Sequence, residues 1–182
     1  NVETETKMLR IEAEGRGTLS PIASPLAAAK AVASASAQAE RTGFGWNAEQ
    51  RTATEQLLTS RNRVTALQGY AGTAKTTTVL ATFAREAEVR GVSVVALAPT
   101  ASAAMVLGEA LGARSDTVAR HLLSPERPSQ GQPAAWVVDE ASLLSSRDTA
   151  RLFDLAEKQN ARVLLVGDVK QLGSVEAGAA FA

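Results

Sequence analysis

Gln68-Gly69-Tyr70-Ala71-Gly72-Thr73-Ala74-Lys75-Thr76-Thr77-Thr78 is the stretch on which the reading of this chain turns. Before it, Val64-Thr65-Ala66-Leu67 is short, β-branched and apolar, as a buried strand is. After it, residues 76–88 carry Val79, Leu80, Phe83, Ala84 and Ala87 at helical spacing. A small-residue turn between strand and helix, closed by Lys-Thr, follows the GxxxxGK[ST] pattern of a phosphate-binding loop. Small residues let the backbone wrap a phosphate, with successive N–H groups turned inward as a nest. The helix N-terminus adds its partial positive charge. Gly69, Gly72, Thr73, Ala74, Lys75, Thr76 and Thr77 are therefore candidate nucleotide-binding residues. Lys75 is expected on the β- and γ-phosphates and the Thr76 hydroxyl on Mg²⁺. Ala74 is the one departure: it stands where the pattern wants glycine, and alanine tolerates a positive φ less well. With that departure the stretch alone is equally an ordinary strand–turn–helix, and the remaining chain has to decide.

The composition narrows the field. The chain has 182 residues, 45% hydrophobic but only 4% aromatic. That predicts one Ala/Val/Leu-cored domain of the α/β class rather than a β-sandwich. Cysteine is absent and there is one histidine, which excludes disulfides, thiolate metal sites and histidine-based metal sites. No apolar run is long enough for a membrane helix and no signal peptide is visible, so a cytoplasmic protein is expected. Nineteen basic residues balance nineteen acidic ones. A free-standing nucleic-acid binder usually has a basic excess, so any such contact here is local or shared. The chain opens on Asn1, and a piece of something longer is expected.

The remaining elements follow from periodicity and punctuation. Residues 1–14 read as an amphipathic helix ended by Gly15-Arg16-Gly17, and residues 26–41 as an Ala-rich helix. Residues 1–43 are read as an N-terminal helical extension and 44–182 as the main domain. Asn47-Ala48-Glu49-Gln50 opens a helix with a capping-box pattern. Gln50 thus has two readings, the reciprocal cap or an amide that reads an adenine edge. Strands are expected at 92–97, 134–140 and 162–166, and helices at 103–111, 116–121 and 142–158. Residues 124–133, with Pro125, Pro128, Gly131 and Pro133, read as a loop.

Four strands alternating with helices predict a mostly parallel sheet with helices on both faces. The polar residues then converge. Thr73-Ala74-Lys75-Thr76, Thr100-Ala101-Ser102, Asp139-Glu140 and Asp168 to Gln171 each follow a strand, along the edge where ligands bind in open α/β folds. Asp139 is expected to hold Mg²⁺ and Glu140 to orient and polarise the attacking water. The bland alternative is an acid pair favoured by a helix N-terminus. Gln171 is a candidate for the γ-phosphate or its water, or a turn residue. Pro99, Thr100 and Ser102, with Thr117 and His121, are candidates for phosphates of a single strand, or helix caps.

These residues together resemble superfamily 1 DNA helicases of the RecD-like branch. Within it they are most similar to the motor part of conjugative relaxase–helicases of the TraI/TrwC type. The resemblance covers about residues 44–182 and rests on Gln50, the Gly69 to Thr76 loop, Ala98-Pro99-Thr100, Val138-Asp139-Glu140-Ala141-Ser142 and Gly167-Asp168-Val169-Lys170-Gln171-Leu172. It implies a RecA-like P-loop NTPase fold, with the Asp139 strand separated from the phosphate-loop strand by the last strand. It implies ATP and Mg²⁺ as cofactors and Gln50 as the adenine-reading motif. It places Pro99 and Thr100 on single-stranded DNA and Gln171 in motif III. The implied reaction is ATP-driven 5′-to-3′ movement along single-stranded DNA during conjugation. A second RecA-like domain, bearing the arginine finger, and a relaxase domain are the implied partners. Neither is expected within these 182 residues, which reach only to motif III and carry Tyr70 as their one tyrosine.

Two rival readings remain at this stage. One is a catalytically weak helicase-like module kept for single-stranded DNA or partner docking, which Ala74 favours and Glu140 opposes. The other is a small-molecule phosphotransferase, which needs an arginine-bearing lid. The 125–133 loop offers only Arg127.

Overall fold

The computed structural model describes residues 1–69, 74–123, 131–168 and 179–180. The elements are α1 (Val2–Glu14), α2 (Pro25–Arg41), α3 (Ala48–Thr59), β1 (Val64–Gln68), α4 (Ala74–Val89), β2 (Ser93–Ala98) and α5 (Ala101–Leu111). They continue with β3 (Arg114–Thr117), α6 (Val118–Leu123), β4 (Ala134–Val138), a 3₁₀ turn (Ala141–Leu143), α7 (Ser146–Gln159), β5 (Ala161–Gly167) and β6 (Ala179–Ala180). The strands lie in the order β3-β2-β4-β5-β1-β6, and every pairing is parallel. The fold is α/β, and β5 separates β4 from β1 as the resemblance implied.

Alternation along the strands builds two cores. On β4 and β5, Ala135, Val137, Leu164 and Val166 join one cluster, with Leu80 and Phe83 of α4 and Leu57 and Leu58 of α3. Trp136, Val138, Val163 and Leu165 join the other, with Leu152 and Phe153 of α7. Successive strand residues face opposite sides, so both faces of a parallel sheet are covered.

Residues 1–43 share both cores. Met8 and Ile11 of α1 belong to the α7 cluster, and Ile22, Ala23 and Ala28 to the α4 cluster. Between α1 and α2 the chain is laced to the turn before β1. Leu19 N donates to Arg61 O (2.9 Å), Ala23 N to Leu58 O (2.9 Å) and Arg63 N to Gly15 O (3.0 Å). Arg162 reaches the carbonyls of Ser60 (2.9 Å) and Ser20 (2.6 Å). Burial, with Arg63 nearby, lowers its pKa to about 10.

Two expectations fail locally. Residues 116–121 are not one helical stretch: Arg114–Thr117 pairs with β2, and the helix starts at Val118. β3 is a four-residue edge strand with no fully buried position, so it carries no apolar alternation. Nor are residues 142–158 one helix. A 3₁₀ turn ends at Leu143, Leu144 is extended (φ −75°, ψ 145°), and α7 begins after Ser145, whose Oγ accepts from Asp148 N (3.0 Å).

No described helix is long and apolar enough to cross a membrane. Ile11 is fully buried, so Ile11→Ala is expected to lower unfolding stability by about 2–5 kcal/mol. A urea melt of the whole chain reads this. An unmoved midpoint would mean that α1 is an appendage.

Candidate functional site

Parallel pairing brings every strand to the same rim. Gln68 pairs with Gly167, Leu97 with Val138 and Ala98 with Thr117. Gly69, Asp139 and Asp168 are each the next residue out on that rim. Lys75 and Thr76 open α4 beside it, and Glu140 follows Asp139. The phosphate-loop side and the acid pair therefore share one edge, with the end of β5 between them.

That end is in contact with both sides. Gly69 N donates to Gly167 O (3.2 Å), and Gln68 Nε2 donates to Asp168 Oδ1 (3.2 Å). Gly167 has φ +128°, and a Cβ there would lie 3.5 Å from Ala141 N and 3.6 Å from the Glu140 Cα. A side chain at Gly69 is also excluded: its Cβ would lie 2.7 Å from Thr76 Oγ1. Thr76 is buried, while Ala74, Lys75 and Thr77 are exposed. Ala74 is the first residue of α4 and is not among the positive-φ residues. The left-handed strain expected of an alanine there does not arise.

The acid pair is held in an unusual backbone. Glu140 is left-handed (φ 52°, ψ 38°), a conformation that costs a non-glycine residue about 1–2 kcal/mol. Asp139 N is fixed to Leu97 O (2.9 Å), and Glu140 N donates to Asp139 Oδ1 (2.8 Å). Burial raises the Asp139 carboxyl above its ordinary 3.8, and the Glu140 N–H opposes that rise. Strain and desolvation of this kind gather at functional sites. The described residues contain no cluster of three His, Asp or Glu able to hold a metal. Thr76 and Asp139 instead offer hard oxygens, the donor set of a magnesium ion that keeps most of its waters and takes the rest from phosphate.

The other candidates divide. The Gln50 capping box is closed: Asn47 Oδ1 accepts from Gln50 N (2.8 Å), and Gln50 Oε1 accepts from Asn47 N (2.9 Å). The Gln50 carbonyl is thus engaged, and the residue is buried. Thr100 caps α5, its Oγ1 accepting from Ala103 N (3.2 Å), and Thr117 caps α6, accepting from Arg120 N (3.2 Å). Thr100 and Ser102 are exposed, and Pro99 and Thr117 are half-buried. His121 corrects its expectation. It is 3% exposed, with its ring edge-on to Trp136 at 4.5 Å, so it has no face for a DNA phosphate. Gly72, Thr73 and Gln171, with the Arg127 segment, lie outside the described residues. Gln68 was missed. The available signal was a polar residue ending a buried strand directly before the loop.

The fold is that of a P-loop NTPase-type α/β domain, and comparison with known proteins agrees. The AAA domain family (AAA_30) matches residues 45–182, and the chain belongs to it. Its relatives are conjugal transfer proteins and RecD-type helicases. It is 40% identical over 136 residues to the "Probable conjugal transfer protein TraA" of Sinorhizobium fredii, covering 73% of this chain and 12% of that protein. It is 39% identical over 170 residues to the "RecBCD enzyme subunit RecD" of Mycobacterium tuberculosis, covering 78% and 28%. It is 39% identical over 140 residues to the "ATP-dependent RecD2 DNA helicase" of Deinococcus radiodurans, covering 74% and 19%. The chain thus spans less than a third of each of these relatives.

Two ionisable groups give tests of the packing. The fold favours the protonated form of Asp139, so that contribution is full below pH 3.8 and is lost as pH rises through the raised value. At neutral pH the ionised carboxylate is a burden. Asp139→Asn is therefore expected to raise the thermal midpoint in magnesium-free buffer, and a lowered midpoint would contradict the desolvation. His121 is the opposite case. Burial lowers its pKa below 6.5, with Asp116 opposing and Arg114 reinforcing. Its contribution is complete above 6.5 and is lost as pH falls from there towards the lowered value. Melts of wild type and His121→Phe between about pH 7.5 and 5 should show a loss on acidification that is smaller in the variant. Parallel curves would exclude it.

Proposed function

We propose that this chain is the ATP-binding motor part of a DNA helicase. In this reading residues 44–182 are its first RecA-like unit and residues 1–43 are helices packed onto it. The observation that carries the proposal is the shared rim, with Lys75 and Thr76 on one side of the β5 end and Asp139 and Glu140 on the other. The relatives' names, conjugal transfer proteins and ATP-dependent DNA helicase, support the same direction.

The roles of the described residues rest on their placement, and those of Gly72, Thr73 and Gln171 on the sequence pattern alone. Lys75 neutralises the β- and γ-phosphates, joined in the sequence pattern by the backbone amides of Gly72 and Thr73, while the Gly69 amide is already committed to Gly167 O. Thr76 and Asp139 are the residues that would hold magnesium, which when bound neutralises charge developing on the phosphates. Glu140 orients the attacking water, and Gln171 senses the terminal phosphate. Thr100 and Ser102, beside Pro99 and with Thr117 further along the rim, meet the phosphates of a single DNA strand. Movement is 5′ to 3′, in the cytoplasm, within a longer conjugative-transfer protein whose second motor domain closes the site. Gln50, its Oε1 held in the capping box, turns the two N–H donors of its Nε2 amide to an adenine edge.

An arginine finger is worth on the order of 10³–10⁵ in rate. The chain alone is therefore expected to bind ATP–Mg²⁺ and turn it over slowly. Calorimetric titration of wild type, Lys75→Ala and Glu140→Gln tests this. Lys75→Ala should weaken ATP by about tenfold or more. Glu140→Gln should keep binding and lose about 10²–10⁴ in turnover. Equal ATP affinity in wild type and Lys75→Ala would refute the phosphate site. Loss of nucleotide binding with single-stranded DNA binding retained in all three would favour a docking module.

A further inference from the structure

A cavity of about 310 Å³ lies at the end of the sheet opposite the candidate nucleotide rim, at the small end of the range for ligand sites. Val92 precedes β2, Ala134 opens β4 and Arg162 is the second residue of β5, and all three line it. At about 3.3 Å per residue, Ala134 stands roughly 16 Å along its strand from Asp139. The segment between α1 and α2, from Leu19 to Ile22, closes the other side.

The wall offers cations and donors but no carboxylate. Arg90 and Arg162 both line it, and apart from Ser20, Asn160 and Gly131 the remaining lining is apolar. Two of its carbonyls are already taken: Ser20 O accepts from Arg162 (2.6 Å) and Pro133 O from Ser93 N (2.9 Å). The donors are not used up. Arg162 gives one nitrogen to Ser20 O and the other to Ser60 O (2.9 Å), which leaves most of the guanidinium N–H groups. Asn160 Oδ1 accepts from Arg63 (3.1 Å), and its amide N–H groups have no acceptor among the described residues. Arg90 is exposed and holds only its own helix, with Glu86 O at 3.0 Å and Glu86 Oε1 at 3.7 Å.

Arg162 has no counter-charge. A cation taken out of water is ordinarily matched by an acid. Among the described residues no carboxylate pairs with Arg162, and the charge that acts on it is the like charge of Arg63. Main-chain carbonyls satisfy its hydrogen bonds without neutralising it, and an arginine kept only to tie carbonyls needs no cavity in front of it. We infer that this cavity binds a small organic anion, a carboxylate or a phosphate monoester. Its oxygens meet Arg162, Arg90 and Asn160, and its apolar body lies against Ile22, Val92 and Pro133. A guanidinium fork matches the paired oxygens of either group. The site is independent of the nucleotide reading, since no residue of the nucleotide rim lines the cavity.

The test titrates the whole chain with benzoate, phenyl phosphate and neutral benzamide, and reads the backbone amide resonances of Gly131 and Asn160 by nitrogen–proton NMR. Phenyl phosphate held at the phosphate loop would move Lys75 and Thr76 instead, so the readout separates the two sites. One or both anions should give saturable shifts at Gly131 and Asn160, and the tighter of the two names the source as carboxylate or phosphate. Benzamide should give none. Arg90→Glu should weaken the bound anion by about tenfold or more and keep the circular dichroism of wild type. Arg147→Glu, exposed on α7, should leave the affinity unchanged. Arg162→Gln keeps a donor for Ser20 O and should weaken the anion as well; if that variant does not fold, Arg90→Glu decides alone. Neither anion giving saturable shifts in wild type overturns the inference. So does benzamide binding as tightly as benzoate, or Arg90→Glu and Arg147→Glu binding alike.

Discussion

The parallel pairing of β4, β5 and β1 is the constraint on which the rest depends. In an antiparallel sheet consecutive strand ends alternate between rims, and residues after β1 and β4 need not meet. With every pair parallel, the residue after each strand lies on one rim by construction. The small residues then let the chain close in. Gly69 leaves room for the Thr76 hydroxyl, and Gly167 supplies the positive φ (+128°) at the end of β5. Lys75-Thr76 and the acid pair, far apart in sequence, are brought to one edge by backbone pairing alone.

That rim is energetically expensive at the places where it is useful. Asp139 is an acid kept partly out of water, and Glu140 occupies a left-handed conformation without being glycine. Both are tolerated because the strands behind them are fully buried: β4 has no exposed position and β5 only one half-buried one. A rigid, dry sheet holds strained groups where water and metal-bound phosphate are expected. The N-terminal helices contribute to that rigidity, since α1 completes the core under α7 and the segment after it is bonded to the turn before β1.

Legibility followed the range of the interactions. The capping box at Asn47 and Gln50 was readable because both of its bonds span three residues. The helices of α2, α4 and α5 were readable because their apolar spacing is local. β3 was not, because its four polar residues become a strand only through pairing with β2. The break before α7 was not, because Ser145 as a cap competes with a continuous helical pattern from 142 onward. His121 could be taken for a DNA-phosphate contact because nothing near it in sequence shows Trp136, fifteen positions away, against its ring.

By itself the amino-acid order determined the acid pair after a buried strand, the α/β class and the kinship with RecD-type helicases, and it carries the phosphate-loop pattern. Each is written in short windows whose periodicity or residue types carry the physics. The tertiary structure alone decided that His121 is in the core, that Ala74 is helical, and that α2 stands across a cleft from α4. Those facts depend on which distant surfaces bury one another, and burial of apolar area is non-directional. No local pattern in the chain encodes the partner.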